Sequence, residues 1–409
     1  RSTLTWELGC RLAASSKTFY EAVRAYRHFL RKVVLHGVNQ ETMLRVVGRD
    51  CPQLQSMVLG PYRHNSLSSK AIRSLFFQLP MLEELDLTCD VDSMALFTVA
   101  QRCPRLRKLD ISTSDHADVD LTGGVSALAV ARTSLTNLSL DVPVKADAVA
   151  YLFQGLSSSL RELTLYDIRN LNPDTFWDTS WPALVKLTMR FSEDCSLPTL
   201  ADFVSGEWPA LEELYISFSD FVGLEGLSSA CPKLRSVDWR EDSKNNLVGE
   251  LHRLRHPLLE RLDLTDVNLS GFRSEMGINA LPSLTELNLR GSEITDAGVC
   301  SFAKAAPNLI ALNSGDSIGD DALAALARHC KGLTSLDIWG SDCTGSGMRV
   351  LKDLALKILD VDRLDLCDDD LRFFAASFPQ LEEICLPSSS YAAFTIAGVQ
   401  ELITACPVL

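Results

Sequence analysis

Leu284-Thr285-Glu286-Leu287-Asn288-Leu289 is the stretch that decides the fold. Its last two leucines alternate with a polar residue, and a period of two marks a short strand with its leucines on one face. A few residues later Ala297-Gly298-Val299-Cys300-Ser301-Phe302-Ala303-Lys304-Ala305 carries apolar residues at helical spacing. The same phrase returns along the chain, as Cys51-Pro52-Gln53-Leu54 running to Met57-Val58-Leu59, as Leu79-Pro80-Met81-Leu82 running to Leu85-Asp86-Leu87, and as Cys103-Pro104-Arg105-Leu106 running to Leu109-Asp110-Ile111. A repeated unit buries its apolar face only against its neighbours, so a fixed period implies a stack that grows by adding units.

The first apolar position of each unit falls at Leu30, Leu54, Leu82, Leu106, Leu135, Leu160, Leu184, Leu211, Leu234, Leu259, Leu284, Leu309, Leu333, Val361 and Leu381. The spacing of roughly 25 residues lies in the range of leucine-rich repeats. Asp296 and Asp320 precede helical segments and are expected to cap them. Asp368-Asp369-Asp370 reads as a charge run before a helix beginning near Leu371. Stacked strand–helix units imply an α/β leucine-rich-repeat solenoid, a horseshoe with a parallel sheet on the concave face and helices on the convex face. The register is least regular at Val361, whose neighbours lie about 28 and 20 residues away. Residues 1–29 read as a helical cap and residues 30–409 as a solenoid of about 15 repeats. The chain begins at Arg1 without Met and stops at Cys406-Pro407-Val408-Leu409, the opening of another repeat, so it reads as a fragment.

The chain of 409 residues is 46% hydrophobic and 22% charged, which is an ordinary globular composition. A net charge of -14 argues against nucleic acid or an anionic membrane as the main partner, since both need a basic footprint. Among the 12 cysteines, Cys51, Cys103, Cys231, Cys330 and Cys406 share one repeat position near a helix end. Recurrence there means packing, with cysteine as a small hydrophobe. Reduced buried thiols point to a cytoplasmic or nuclear protein.

Cys-Pro-x-Leu followed by Leu-x-Leu, with Ile294-Thr295-Asp296-Ala297-Gly298-Val299 between units and a looser copy at Ile318-Gly319-Asp320-Asp321-Ala322-Leu323, resembles the cysteine-containing leucine-rich repeats of F-box proteins. Leu12, Ser16, Lys17, Phe19 and Val23 are similar to the last helices of an F-box running into the first repeat. The opening Leu-Pro and first helix of that motif are absent from the sequence. The resemblance implies a substrate-binding subunit of an SCF cullin–RING ubiquitin ligase, with those five residues contacting the adaptor and the horseshoe holding a protein substrate. A plain capping helix over the first repeat is the alternative for the N-terminus, and a free-standing binding, inhibitory or immune-sensor module is the alternative for the whole.

Alternation turns the residue between the two leucines, and the residue after them, toward solvent on the concave face. The between position reads Asp86, Asp110, Ser139, Thr164, Thr188, Tyr215, Asp238, Asp263, Asn288, Asn313, Asp337 and Asp365. The position after supplies Tyr166, Arg190, Arg240, Arg290 and Trp339. Aromatic and arginine side chains over the middle of the array are the residue types of interface hot spots. Tyr166, Arg190, Tyr215, Asp238, Arg240, Asp263, Arg290, Asp337 and Trp339 are therefore the candidate partner-binding residues, suited to a basic or mixed-charge protein. Trp239 falls at an inward leucine position and reads as core.

The sequence holds no phosphate loop, no Gly-x-Ser-x-Gly elbow and no His-Glu-x-x-His. Of the seven histidines, His252 and His256 are four residues apart and read as a solvated pair. These patterns point to a non-catalytic recognition module with no cofactor and no metal.

Overall fold

The computed structural model describes residues 30–35, 40–60, 69–88, 91–112, 121–131, 134–169, 180–191, 197–239, 247–272, 277–316, 318–388 and 393–409. The chain divides into two compact units, Arg1–Leu197 with Gly206–Leu211, and Pro198–Ser205 with Glu212–Leu409.

In the first unit β1 (Lys32–Leu35), β2 (Ser56–Leu59), β3 (Glu84–Thr88), β4 (Lys108–Ser112), β5 (Asn137–Lys145), β6 (Glu162–Arg169) and β7 (Lys186–Phe191) run in chain order. Each pairs in parallel with the one before it, so that Leu85 faces Leu109 and Leu109 faces Leu138. Register is held because a slip of one residue would turn every inner leucine to solvent. Helices Gln40–Asp50, Ser69–Phe76, Ser93–Arg102, Thr122–Val130 and Ala146–Leu156 lie between the strands in sequence, each against the next.

The second unit repeats the plan with β8 (Glu213–Ile216), β9 (Ser236–Asp238), β10 (Arg261–Asp263), β11 (Glu286–Asn288), β12 (Ala311–Asn313), β13 (Ser335–Asp337), β14 (Ile358–Asp360) and β15 (Glu383–Cys385). These are also parallel and sequential. Its first helices are short, Leu200–Ser205 and Leu227–Ala230, and aromatic rings fill the space they leave. Phe203 meets Phe218 at 5.7 Å, and Phe221 meets Trp239 at 5.2 Å, so Trp239 is core as expected. The helices lengthen again at Asp296–Ala305, Asp320–His329, Asp368–Ser377 and Ile396–Ala405.

The first leucine of almost every repeat is fully buried, as are both leucines of most Leu-x-Leu pairs. Each such side chain contributes about 1.5–3 kcal/mol by leaving water. The rungs are also tied by backbone bonds one repeat apart: Thr285 N–H donates to Glu260 O at 2.8 Å, and Thr334 N–H to Ile310 O at 2.9 Å.

That backbone pattern corrects the register at one repeat. Lys357 N–H donates to Thr334 O at 2.7 Å, and Glu382 N–H donates to Lys357 O at 2.7 Å. Leu356, not Val361, is therefore the first apolar position, and Asp360, not Asp365, is the between residue, paired with Asp337 and Cys385. The pair here ends in Val361, while Leu364-Asp365-Leu366 five residues later imitates the phrase more closely. A buried valine fills the inner slot as well as a leucine, and Leu364 and Leu366 are buried beyond the strand.

Three further expectations change. Thr295 and Gly319 hold the N-cap positions, and Asp296 and Asp320 are the first helical residues. Their carboxylates reach forward: Asp296 Oδ1 accepts from Gly319 N–H at 2.6 Å. Asp368-Asp369-Asp370 is the first turn of the helix Asp368–Ser377, where carboxylates favour the positive end of the dipole.

The third concerns the cysteine slot. Cys103 Sγ–H points to Leu79 O at 3.7 Å, Cys330 Sγ–H to Ala306 O at 3.6 Å, and Cys406 Sγ–H to Phe378 O at 3.4 Å, each bonding back to the preceding repeat. Burial pushes the Cys330 thiol up to about 11 and the Cys103 thiol up to about 12, so both stay protonated. Trp181 and Trp208 take the slot in the first unit and stack at 6.5 Å. His256 takes it in the second. It is 1% exposed and Nε2 lies 2.9 Å from Cys231 O, while His252 is exposed. His256 is thus a core side chain and not half of a solvated pair.

Candidate functional site

A groove of about 460 Å³ lies over the solvent-facing side of the second unit's sheet, from Tyr215 at one end to Cys385 at the other. Its lining holds six carboxylates, Asp238, Asp263, Glu286, Asp337, Asp360 and Glu383, against one guanidinium, Arg261. The between column builds its centre. Asp238 pairs with Asp263, Asp263 with Asn288, Asn288 with Asn313, Asn313 with Asp337, and Asp337 with Asp360.

The strands are short, and the reason is in this column. Asp263 Oδ1 accepts from Thr265 N–H at 2.9 Å, and Asn288 Oδ1 from Arg290 N–H at 3.2 Å. Asp337 Oδ1 accepts from Trp339 N–H at 3.0 Å, and Asp360 Oδ1 from Asp362 N–H at 3.0 Å. Asp and Asn side chains bond the backbone two residues on and turn the chain, which ends each strand after its third residue. One carboxylate oxygen is spent on the fold, and the charge remains on the groove face.

Beyond the column stands Trp339, half-buried between two cations. Arg290 lies 5.4 Å from its ring centroid and Arg363 lies 4.3 Å from it. Arg290 and Trp339 are two rungs apart, about 9.6 Å along the sheet. They meet because Gly315, at φ +64, places no side chain between them. Among the described residues neither guanidinium makes an ion pair. Arg290, Trp339, Asp337, Asp360 and Asp362 also line a second hollow of about 480 Å³ that reaches Ser388. Burial raises the Asp337 carboxyl above its ordinary value, helped by Asp360; the Trp339 N–H and the Arg290 charge act the other way.

The second unit therefore brings together Tyr215, Asp238, Asp263 and Asp337 on one groove, and Arg290 and Trp339 on its continuation. Tyr166 and Arg190 belong to the first unit, where the Arg190 guanidinium lies 5.1 Å from the Tyr166 ring. In that unit burial and the neighbouring Asp86 raise the Asp110 carboxyl. Arg240, and with it Leu12, Ser16, Lys17, Phe19 and Val23, lie outside the described residues. Among the site residues missed from sequence are Asp360 and Arg363. The mistaken register hid both; the signal that recovers them is the 23- and 25-residue spacing that Leu356 gives with Leu333 and Leu381. Among the described residues no group of three His, Cys, Asp or Glu could hold a metal ion, and no helix is long and apolar enough to cross a membrane.

A family model for the leucine-rich repeat matches residues 280–303, the stretch that carries β11 and most of the helix Asp296–Ala305. The chain is similar to F-box/LRR-repeat protein 17 of Arabidopsis thaliana, with 26% identity over 320 residues, 76% of this chain and 41% of that protein. It thus spans about two fifths of the length of the curated relative it matches. It also resembles a chain of the crystal structure of the Rad7 and Elc1 complex in yeast, at 15% identity and a TM-score of 0.47, covering 94% of this chain and 86% of that one. A chain of the TLR13–ssRNA13 complex matches at 17% identity and a TM-score of 0.45, covering 89% of this chain and 62% of that one. The chain is a leucine-rich-repeat protein. Its sequence is similar to that of an F-box/LRR-repeat protein over 320 residues.

Proposed function

We propose that this chain is the substrate-recognition part of an F-box-type subunit of an SCF cullin–RING ubiquitin ligase, holding a protein on the solvent-facing side of its sheet. The observation that carries the recognition role is the groove over β9–β14, a continuous acidic surface with an aromatic–arginine cluster at its border. The ligase link is supported by the F-box/LRR-repeat relative and by the F-box-like residues Leu12, Ser16, Lys17, Phe19 and Val23. In this reading the chain is not a catalyst: it positions a substrate, and the chemistry belongs to other subunits. The buried, protonated thiols suit the cytoplasm or nucleus.

The test is a binding titration of the native full-length protein against the ligase adaptor, repeated with Leu12, Phe19 and Val23 changed to Asp. Saturable binding that the substitutions abolish supports the ligase reading. Absence of binding by the full-length protein removes it and leaves a free-standing recognition module.

A further inference from the structure

We propose that the groove over β9–β14 seats an extended, lysine- or arginine-bearing segment of a protein partner, with one basic side chain held between Asp337 and Asp360. This rests on the protein-recognition reading above and names the chemistry of what is recognised.

The geometry comes first. Asp337 and Asp360 stand directly opposite each other on adjacent strands, and like charges in that relation destabilise a sheet. The nearby cations relieve them only in part, the Arg290 charge acting on Asp337 without an ion pair. Arg290 and Arg363 are turned onto Trp339, and among the described residues neither Asp337 nor Asp360 is ion-paired. Each aspartate gives one oxygen to a backbone N–H, so its net charge is left facing the groove. A cation from a partner would remove a repulsion that the folded chain leaves in place.

Two uncharged groups point the same way. Ser236 is 5% exposed, precedes the inward Val237 and so faces the groove, and its hydroxyl makes no hydrogen bond among the described residues. Asn313 Oδ1, in the same lining, is buried without a partner. Carboxylates, a hydroxyl and an amide oxygen together make an acceptor-rich surface, and lysine and arginine side chains offer donors only. An acidic peptide or a nucleic acid would meet repulsion along the groove. From Asp238 to Asp360 the surface spans five rungs, about 24 Å, the length of about seven extended residues. Trp339 and its two arginines form a rim that the segment lies against.

The experiment uses the full chain and a fluorescein-labelled heptapeptide of alternating glycine with lysine or arginine, followed by anisotropy; its glutamate counterpart is the reference. Asp337→Asn with Asp360→Asn removes both charges and keeps the turns, because Asn288 makes the same bond to Arg290 N–H in the native chain. We expect saturable binding by the wild type and an affinity at least about tenfold lower in this double variant. The control is Asp321→Asn with Asp353→Asn, equal in charge but on exposed positions outside the groove, and it should hold within about twofold. Equal weakening in both variants would mean that the net charge of -14 attracts the peptide without a site, and would overturn the proposal. So would absence of binding by the wild type. A second readout needs no variant: carbodiimide coupling of the bound lysine peptide to the wild type, mapped by mass spectrometry. Links at Asp337 or Asp360 support the proposal, and links confined to the helices oppose it. The adaptor titration involves none of these residues, so loss of the ligase reading and loss of this one are separate results.

Discussion

The Asp320 carboxylate holds Thr344 of the following repeat at two atoms, accepting from its backbone N–H at 2.8 Å and from its hydroxyl at 2.7 Å. Asp368 and Thr395 repeat the relation at 2.7 and 3.0 Å. Thr344 in turn accepts from Gly347 N–H at 3.0 Å and so caps the next helix. A carboxylate in the first turn of one helix thus sets the start of the next. This couples stability along the stack, since each repeat depends on its neighbour. Asp320→Ala removes two charge-assisted bonds and loosens a cap, and we expect a loss of about 1–3 kcal/mol in urea unfolding. A midpoint unchanged from wild type would show that the pair is solvated and adds nothing.

The same contact explains a glycine. A Cβ on Gly347 would fall on the Asp320 carboxylate, and one on Gly398 would fall on the Asp368 carboxylate. Gly347→Ala should therefore break the Asp320–Thr344 pair by displacement and cost about as much as Asp320→Ala, roughly 1–3 kcal/mol. Because both changes act on one contact, the double variant should lose well under the sum of the two. Full additivity in that cycle would mean that the glycine serves some other need.

His256 gives a pH dependence with a definite sign. Its Nε2 lies against a carbonyl, which only accepts, so the proton sits on Nε2 and the buried Nδ1 is left without a partner. Burial lowers its pKa below the ordinary 6.5, against the opposing pull of the Cys231 carbonyl. The unfolded chain therefore takes up a proton first as pH falls. Stability is complete above pH 6.5 and declines below it, until the folded-state pKa is reached, by at most about 1.4 kcal/mol per pH unit. His256→Cys installs the residue that other repeats use in this slot, with a thiol donor to the same carbonyl. Its stability relative to wild type should improve steadily as pH is lowered from 7 to 5. A difference that stays constant over that range would rule out the buried neutral histidine.

The solenoid, its strand positions and most of its inward residues could be read from the sequence because period and alternation follow directly from burying one face of a repeat. The failures share a physical origin. Asp320 and Asp296 look like caps of their own helices because capping is usually local, whereas here the acceptor serves the next repeat. His256 looks polar and solvated when its residue type is read alone, although Pro257 and Leu259 follow it as Pro232 and Leu234 follow Cys231 and mark the same slot. The Asp column looked like a binding surface; it is also the device that ends each strand, and only the bonds to Thr265, Trp339 and Asp362 reveal that second duty.

The raised pKa of Asp337 makes the basic-peptide proposal sensitive to acid. Burial is the main cause, with Asp360 adding to it. Protonation should therefore begin at a higher pH than for a carboxyl at the ordinary 3.8, and peptide affinity should fall as pH drops toward that range. In Asp337→Asn the remaining affinity should be weaker and flatter over the same interval. Anisotropy titrations from pH 7 to pH 4 check this, and an affinity that is level to pH 4 in the wild type would separate binding from Asp337.

Gly315 is the residue on which the Trp339 cluster depends. At φ +64 it sits in the left-handed region, and a Cβ there would come within 3.1 Å of Gly291 N and 3.2 Å of Arg290 Cα. Two costs therefore attach to any side chain at this position, one conformational and one steric. Asparagine tolerates the conformation and valine does not, so the two separate the costs at similar volume. Gly315→Val should destabilise the chain by about 2–3 kcal/mol and Gly315→Asn by about 1 kcal/mol. Both should move Arg290 away from the indole, because the gap that lets residues two rungs apart meet is filled. In Trp339→Phe, which removes that indole, the emission spectrum defines the Trp339 contribution by difference, and the same contribution should shift in both Gly315 variants. Unaltered Trp339 emission in a stably folded Gly315→Asn would show that the stacking holds without the gap.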